Sequence, residues 1–209
     1  GIFFSGGNLL LCIFVITLAE LMFIVAAYAA RSSYAEIGAH RETLQVMAYE
    51  PMVLLLGIGF FMATGSFDVS TVLFVEQPII GPLIGVFIGM LFILTIKLRK
   101  SPFDLSYSHH AHQELVKGVT TEMSGKVLAW VEIMHWCENI LFLAWIALFF
   151  VWASPICIPV VIIALALVYF LEIWIDNNFA RVKWQALLKS AWIVTLIAGG
   201  INIAVLAYL

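Results

Sequence analysis

Charged side chains are scarce in this chain: Asp, Glu, Lys and Arg make up 11% of its 209 residues, while 64% are hydrophobic. Soluble domains are about 45–50% apolar. Too little polar area exists here to cover a globule in water, so hydrocarbon must solvate most of the chain. Cysteine is also sparse. Cys12, Cys137 and Cys157 lie far apart and form no Cys-x-x-Cys pair. Iron–sulfur and structural zinc sites need clustered thiolates, so no cofactor or metal is expected within this chain, and the thiols read as small apolar packers. Phosphate-binding loops, nucleophile triads and dinucleotide fingerprints are missing. The ten Lys and Arg are too few and too tied to membrane segments for nucleic acid. No secretory leader is expected in this stretch, since Gly1 is not an initiator Met and the first apolar run is about as long as a full span. The expectation is that the chain begins partway through a larger product. No internal repeat or low-complexity tract is visible.

What is present is a series of long apolar runs. A helix needs about 20 residues to cross roughly 30 Å of hydrocarbon. Six stretches qualify: Asn8 to Ala30, Leu44 to Gly65, Ile79 to Leu98, Val127 to Trp152, Ile156 to Trp174, and Ala191 to Leu209. They are unbroken rather than alternating, which favours helices over a barrel. The predicted fold is therefore an all-α membrane protein, a single domain over residues 1–209 with six transmembrane helices. Threading six spans puts Arg31, Arg41, Lys97, Arg99, Lys100, Lys117, Lys126, Arg181, Lys183 and Lys189 on one side. Cytoplasmic loops carry excess Lys and Arg, so that side is assigned to the cytoplasm and both termini to the opposite face. The one long connection, about residues 99–125, is polar and cytoplasmic, and loops of that length are usually functional.

Carboxylates inside apolar runs are the next signal. Glu20 lies deep in the first span, Glu50 in the second, Glu132 and Glu138 in the fourth with His135 between them, and Glu172 near the cytoplasmic end of the fifth. A charge at mid-bilayer costs at least ~2.5–3.5 kcal/mol, so such groups face protein or water and often belong to ion pathways. Glu132, His135 and Glu138 recur at spacings of three, which makes a polar stripe on one helix. The competing reading for each is a paired or protonated structural group. For Glu172 that reading is preferred, since a group near the interface can snorkel to water.

In the second span, Arg41, Gln45 and Tyr49 are spaced by four and share a face, with Glu50 nearly opposite. Pro51 cannot donate a backbone hydrogen bond, so carbonyls freed there need protein or a wet cavity. The competing reading is an ordinary helix entry at the membrane surface. The long loop holds Asp104, His109, His110, His112, Glu114 and Glu122. Histidine titrates near neutrality and suits proton transfer. A metal site there lacks a second ligand cluster, so none is assigned.

The stretch from Gly38-Ala-His-Arg through Gln45 and Tyr49-Glu50 resembles the start of a helix in the NuoH family of respiratory complex I. Arg99-Lys-Ser-Pro-Phe-Asp104, then Glu114-Leu-Val-Lys-Gly118 and Thr121-Glu122-Met-Ser-Gly125, resemble that family's long loop. The run Ser108-His-His-Ala-His-Gln-Glu-Leu-Val-Lys117, with Ile175-Asp-Asn-Asn-Phe-Ala-Arg181-Val-Lys-Trp184, resembles the versions in energy-converting [NiFe] hydrogenases of the Ech, Mbh and formate hydrogenlyase types. The resemblance covers nearly the whole chain from Asn8. That family normally has eight spans, of which this chain would match the last six.

The resemblance implies a membrane anchor and ion-path subunit of a membrane-bound hydrogenase in the cytoplasmic membrane of a bacterium or archaeon. The equivalent subunit of complex I or of a sulfane reductase is the alternative, and a self-sufficient ion transporter is a third. Implied partners are the [NiFe] large and small subunits, a ferredoxin-like iron–sulfur subunit and antiporter-like membrane subunits, with the nickel–iron centre and the clusters held by those partners. The ion path is expected to use Glu20, Glu50, Glu132, His135 and Glu138, with Asp104, Glu114 and Glu122 at its mouth and Arg41, Gln45 and Tyr49 in support. Arg99, His109, His110, His112 and Lys117 are expected to face the soluble arm. Such a path is chemically reasonable because burial disfavours a carboxylate's charged form while a nearby cation favours it.

Overall fold

The computed structural model describes residues 7–72, 74–99, 101–103 and 118–208. Asp104, His109, His110, His112, Glu114 and Lys117 lie outside the described residues. The described chain is all-α: α1 (Leu9–Ala29), α2 (Ser33–Thr64), the one-turn α3 (Val69–Val72), α4 (Ile84–Lys97), α5 (Gly125–Leu148), α6 (Cys157–Asn178) and α7 (Trp184–Tyr208).

Five helices, α1, α2, α5, α6 and α7, are long and apolar enough to cross a membrane. The sixth run departs from expectation. α4 has 14 residues, about 21 Å at 1.5 Å per residue, and the apolar residues before it form turns. Pro78, Gly81 and Pro82 explain the break, because proline removes a donor and glycine weakens a helix interior. Asn202 of α7 takes over the capping there. Its side chain accepts from Val86 N at 3.1 Å and donates to Pro82 O at 2.9 Å.

Two helices begin earlier than hydropathy predicts. α2 starts at Ser33 rather than Leu44, and Ala35, Gly38, Ala39 and Glu42 in its first turns are buried. Tertiary contact, not hydrophobicity, holds that segment. α7 starts at Trp184 rather than Ala191 and buries Leu187 and Ala191. Within α7, Thr195–Gly200 is π-helical.

Helix ends sort into two layers. At one end, Leu9 N donates to Phe67 O, Ala153 N to Val75 O and Ile80 N to Phe149 O. At the other, Val182 N donates to Pro102 O, Ser101 N to the Asp176 carboxylate and Gln45 Nε2 to Phe103 O. The described helices thus run alternately between two ends. α2 is central, with Met52 and Leu56 fully buried. Its packing against α4 and α7 is close because small residues line the seam. A Cβ at Gly85 would collide with Ala198 O, and Met52 fills the space that Cβ atoms at Gly89 and Gly199 would take. By contrast α6 buries only Val168 and Glu172 and turns a broad apolar face outward, as lipid solvation allows.

Candidate functional site

The site lies near the end of the bundle that gathers the basic residues. α1 contributes Glu20, α2 Glu42, Gln45 and Tyr49, α4 Lys97 with the following Arg99, and α5 Glu138; all are buried. Each sits on an inward face for a local reason. Glu42, Gln45 and Tyr49 follow helical spacing of three and four, and Lys97 closes the last turn of α4, where a cation complements the helix dipole.

Lys97 Nζ is ion-paired with Glu20 Oε1, donates to the Tyr49 hydroxyl at 3.1 Å and stands 3.7 Å from Glu138 Oε1. Aromatic faces complete its surround: the ammonium is 4.6 Å from the Tyr49 ring centroid and 5.2 Å from that of Phe142. Cation–π attraction of this kind is strongest where the cation is desolvated. Two carboxylates thus share one ammonium. Next to it, Arg99 Nη2 donates to Glu42 Oε1 at 2.7 Å and lies over the Phe23 ring. Three carboxylate oxygens, Glu20 Oε2, Glu42 Oε2 and Glu138 Oε1, have no hydrogen-bond partner among the described residues. Burying ions is expensive unless their remaining lone pairs are satisfied, so the cluster holds acceptor capacity in reserve.

Of the sequence-predicted path residues, the structure brings Glu20, Glu138 and Tyr49 together. His135 is half-buried one turn before Glu138, edge-on to Phe23 at 5.7 Å between centroids. Gln45 ties α2 to the start of the loop through Phe103 O at 2.7 Å. Glu50 faces elsewhere: Thr17 Oγ1 donates to it at 2.7 Å across the α1–α2 interface. Glu132, Arg41 and Glu122 are exposed, so the stripe on α5 turns only His135 and Glu138 inward. Arg99, expected at a soluble-arm surface, is instead buried against Glu42. Glu172, expected to snorkel to water, is 1% exposed, because α4 and α5 close over it.

Sequence reasoning missed Lys97 as a site residue, counting it only towards charge sidedness, and passed over Glu42. The available signal was that Lys97 follows Thr95-Ile96 in the last turn of an apolar helix, where a buried acid partner is the cheapest way to keep it.

The described part of the long loop is anchored at both ends. Phe103, Val119 and Thr120 are buried. A Cβ at Gly38 would collide with Val119 N, so the α2 backbone touches the loop backbone directly. Among the described residues, no three His, Cys, Asp or Glu side chains converge in a metal-binding arrangement.

The profile of a family described as NADH dehydrogenase matches residues 2–207. NADH-ubiquinone oxidoreductase chain 1 of Mycosarcoma maydis is 27% identical over 183 residues, covering 80% of this chain and 54% of its own length. A subunit of the NADH-quinone oxidoreductase of Rhodospirillum rubrum is 27% identical over 187 residues, covering 83% and 55%. Its counterpart in Anoxybacillus flavithermus is 29% identical over 214 residues, covering 97% and 63%. The chain thus spans a little over half the length of the curated relatives it matches. Among solved structures, a chain of the membrane-bound sulfane sulfur reductase, an archaeal respiratory membrane complex, superposes with a TM-score of 0.82 at 21% identity. The match covers 97% of this chain and 70% of that chain. At that identity the likeness speaks for the fold.

Proposed function

The chain belongs to the NADH dehydrogenase family, and on that premise we propose that it is the membrane anchor and ion-path subunit of an energy-converting [NiFe] hydrogenase. It couples electron transfer in a soluble arm to H⁺ or Na⁺ pumping across the cytoplasmic membrane of a bacterium or archaeon. Its partners on this reading are the [NiFe] large and small subunits, a ferredoxin-like iron–sulfur subunit and antiporter-like membrane subunits. The hydrogenase assignment rests on the stretches Ser108 to Lys117 and Ile175 to Trp184.

The observation that carries the ion-path role is the single ammonium shared by two buried carboxylates. Lys97 pairs with Glu20 and has Glu138 Oε1 only 3.7 Å away. A small shift of the ammonium trades one carboxylate for the other, and the carboxylate left behind takes up a cation or proton. Arg99 and Glu42, one turn towards the loop, link this exchange to the loop ends anchored by Gln45 and Phe103. A redox event in an attached arm then reaches Lys97 through movement of the loop. Glu50, with Thr17, stands on a separate branch towards the α1–α2 interface.

Purification of the complex in mild detergent tests the assignment. Hydrogen turnover with bound nickel is the expected result. Quinone or polysulfide reduction instead favours the complex I or sulfane reductase reading, which the curated relatives and the fold match support. Glu138→Gln and Glu50→Gln are expected to leave assembly and uncoupled turnover intact while reducing ions pumped per electron. Pumping at the wild-type ratio in both variants overturns the path.

A further inference from the structure

Glu172 stands outside the cluster just described, yet it is as deeply buried, at 1% exposure. Neither of its carboxylate oxygens has a hydrogen-bond partner among the described residues. It lines a cleft of about 490 Å³ between α5 and α6, closed at one side by Leu98 after α4, with Asn139 and Tyr169 beside it and Trp136 on its wall. Tyr169 and Glu172 are three apart on α6, and Trp136 and Asn139 three apart on α5, so each helix turns one polar residue and one aromatic into the same space.

Among the described residues, none that lines this cleft is cationic. The charged groups on the packed elements are engaged elsewhere. Lys97 is bound by Glu20 and Tyr49, Arg99 by Glu42, and Glu138 faces Lys97. Asp176, one turn further along α6, accepts from Ser101 N at 2.9 Å and adds negative charge. An uncompensated carboxylate at this depth is strongly disfavoured. None of the described cations on these helices neutralises Glu172, and the open side of the cleft admits one from outside. The Glu172 carboxylate, the Asn139 amide oxygen and the Tyr169 hydroxyl offer oxygen, the ligand type preferred by hard cations. The volume also accommodates a hydrated ion, a liquid water occupying about 30 Å³.

We propose that the α5–α6 cleft is a site for an exchangeable monovalent cation, H⁺ or Na⁺. Glu172 is its anionic ligand, and the Asn139 amide oxygen and Tyr169 hydroxyl are neutral ligands. The site deepens the ion-path reading, but its test reads chemical labelling rather than pumping, so the two fail separately.

The probe is dicyclohexylcarbodiimide applied to the intact complex in membranes, followed by mass spectrometry of the peptide containing Glu172. The acid proton passes to a carbodiimide nitrogen as a carboxyl oxygen adds to the central carbon. Acyl transfer to nitrogen then gives a stable N-acylurea, with no leaving group and no redox step. Labelling of Glu172, lost in Glu172→Gln and retained in Glu172→Asp, is the expected result. A Na⁺ site shows labelling slowed about tenfold when Na⁺ is present at roughly ten times its Kd. A proton site shows no Na⁺ effect and slowing as pH rises. Absence of label on Glu172 in the intact complex overturns the proposal. So does label that appears only after the chain is separated from its partners, since a partner side chain then fills the cleft.

Discussion

The seam between α2, α4 and α7 and the cluster between α1, α2, α4 and α5 share two helices, yet different physics holds them. In the seam, Met52 lies against Gly89 and Gly199, and the Gly85 backbone meets Ala198 O. Contact there is dispersion between fitted surfaces, and it has one arrangement. In the cluster, Lys97 has a paired acceptor in Glu20 and a second within 3.7 Å in Glu138, and three carboxylate oxygens have no hydrogen-bond partner among the described residues. The seam has one fitted arrangement, while the cluster sets two acceptors around one ammonium. A helix such as α4, belonging to both, carries an ammonium between two carboxylates at one end and a fixed contact at the other.

The contrast is broken most severely from the seam side. Gly85→Leu places a side chain where Ala198 O and Asn202 already sit. It is expected to cost at least about 4 kcal/mol, in the range reserved for severe packing or strain defects, and to abolish the monodisperse peak in detergent size-exclusion chromatography. A well-folded variant with unchanged thermal stability would show that the seam is looser than its geometry. Next in size is Lys97→Met, which leaves Glu20 and Glu138 facing each other without their cation. Breaking a buried ion pair costs about 3–5 kcal/mol. Adding Glu20→Gln to Lys97→Met is expected to recover part of the lost melting temperature, and failure of the pair to couple would deny that the cluster acts as a unit. The smallest effect separates Glu50 from the cluster. Thr17→Val removes the 2.7 Å hydrogen bond to Glu50 and is expected to lower stability by about 1 kcal/mol, additively with Lys97→Met. The exposed Glu132, changed to Gln, is the control with no change in melting temperature.

Long uninterrupted hydropathy made α1, α5 and α6 legible from the residues alone, to within a few positions at each end. It failed where another force decides. Ser33 to Thr43 is too polar to read as part of a span, yet it is helix because Ala35, Gly38, Ala39 and Glu42 pack against α1 and the loop. The run from Ile79 is apolar enough to read as helix, yet Pro78, Gly81 and Pro82 keep its first turns out of α4. In the site, a carboxylate in an apolar run announces itself one residue at a time, so Glu20 and Glu138 were visible. Their partner was not, because Lys97 is 77 positions from Glu20 and no local spacing connects them. Glu172 was misread for the same reason. Its position along α6 suggests access to the interface, while its burial depends on how α4 and α5 lie against it.

The π-helical stretch Thr195–Gly200 makes α7 two helices out of phase. One residue more per turn than the ordinary helix means that the face presented before Thr195 is not continued after Gly200. Leu187 and Ala191 point into the bundle on one phase, and Asn202 reaches the start of α4 on the other. Six residues wound this way turn about as far as five residues of ordinary helix, so straightening them without changing their number rotates everything beyond by about 100°. Asn202 then swings away from Pro82 and Val86. Loss of the wide turn in the apolar middle of this helix therefore acts as a change of register, uncapping α4 without altering any residue of α4, whereas deleting one residue along with the wide turn keeps Asn202 in place.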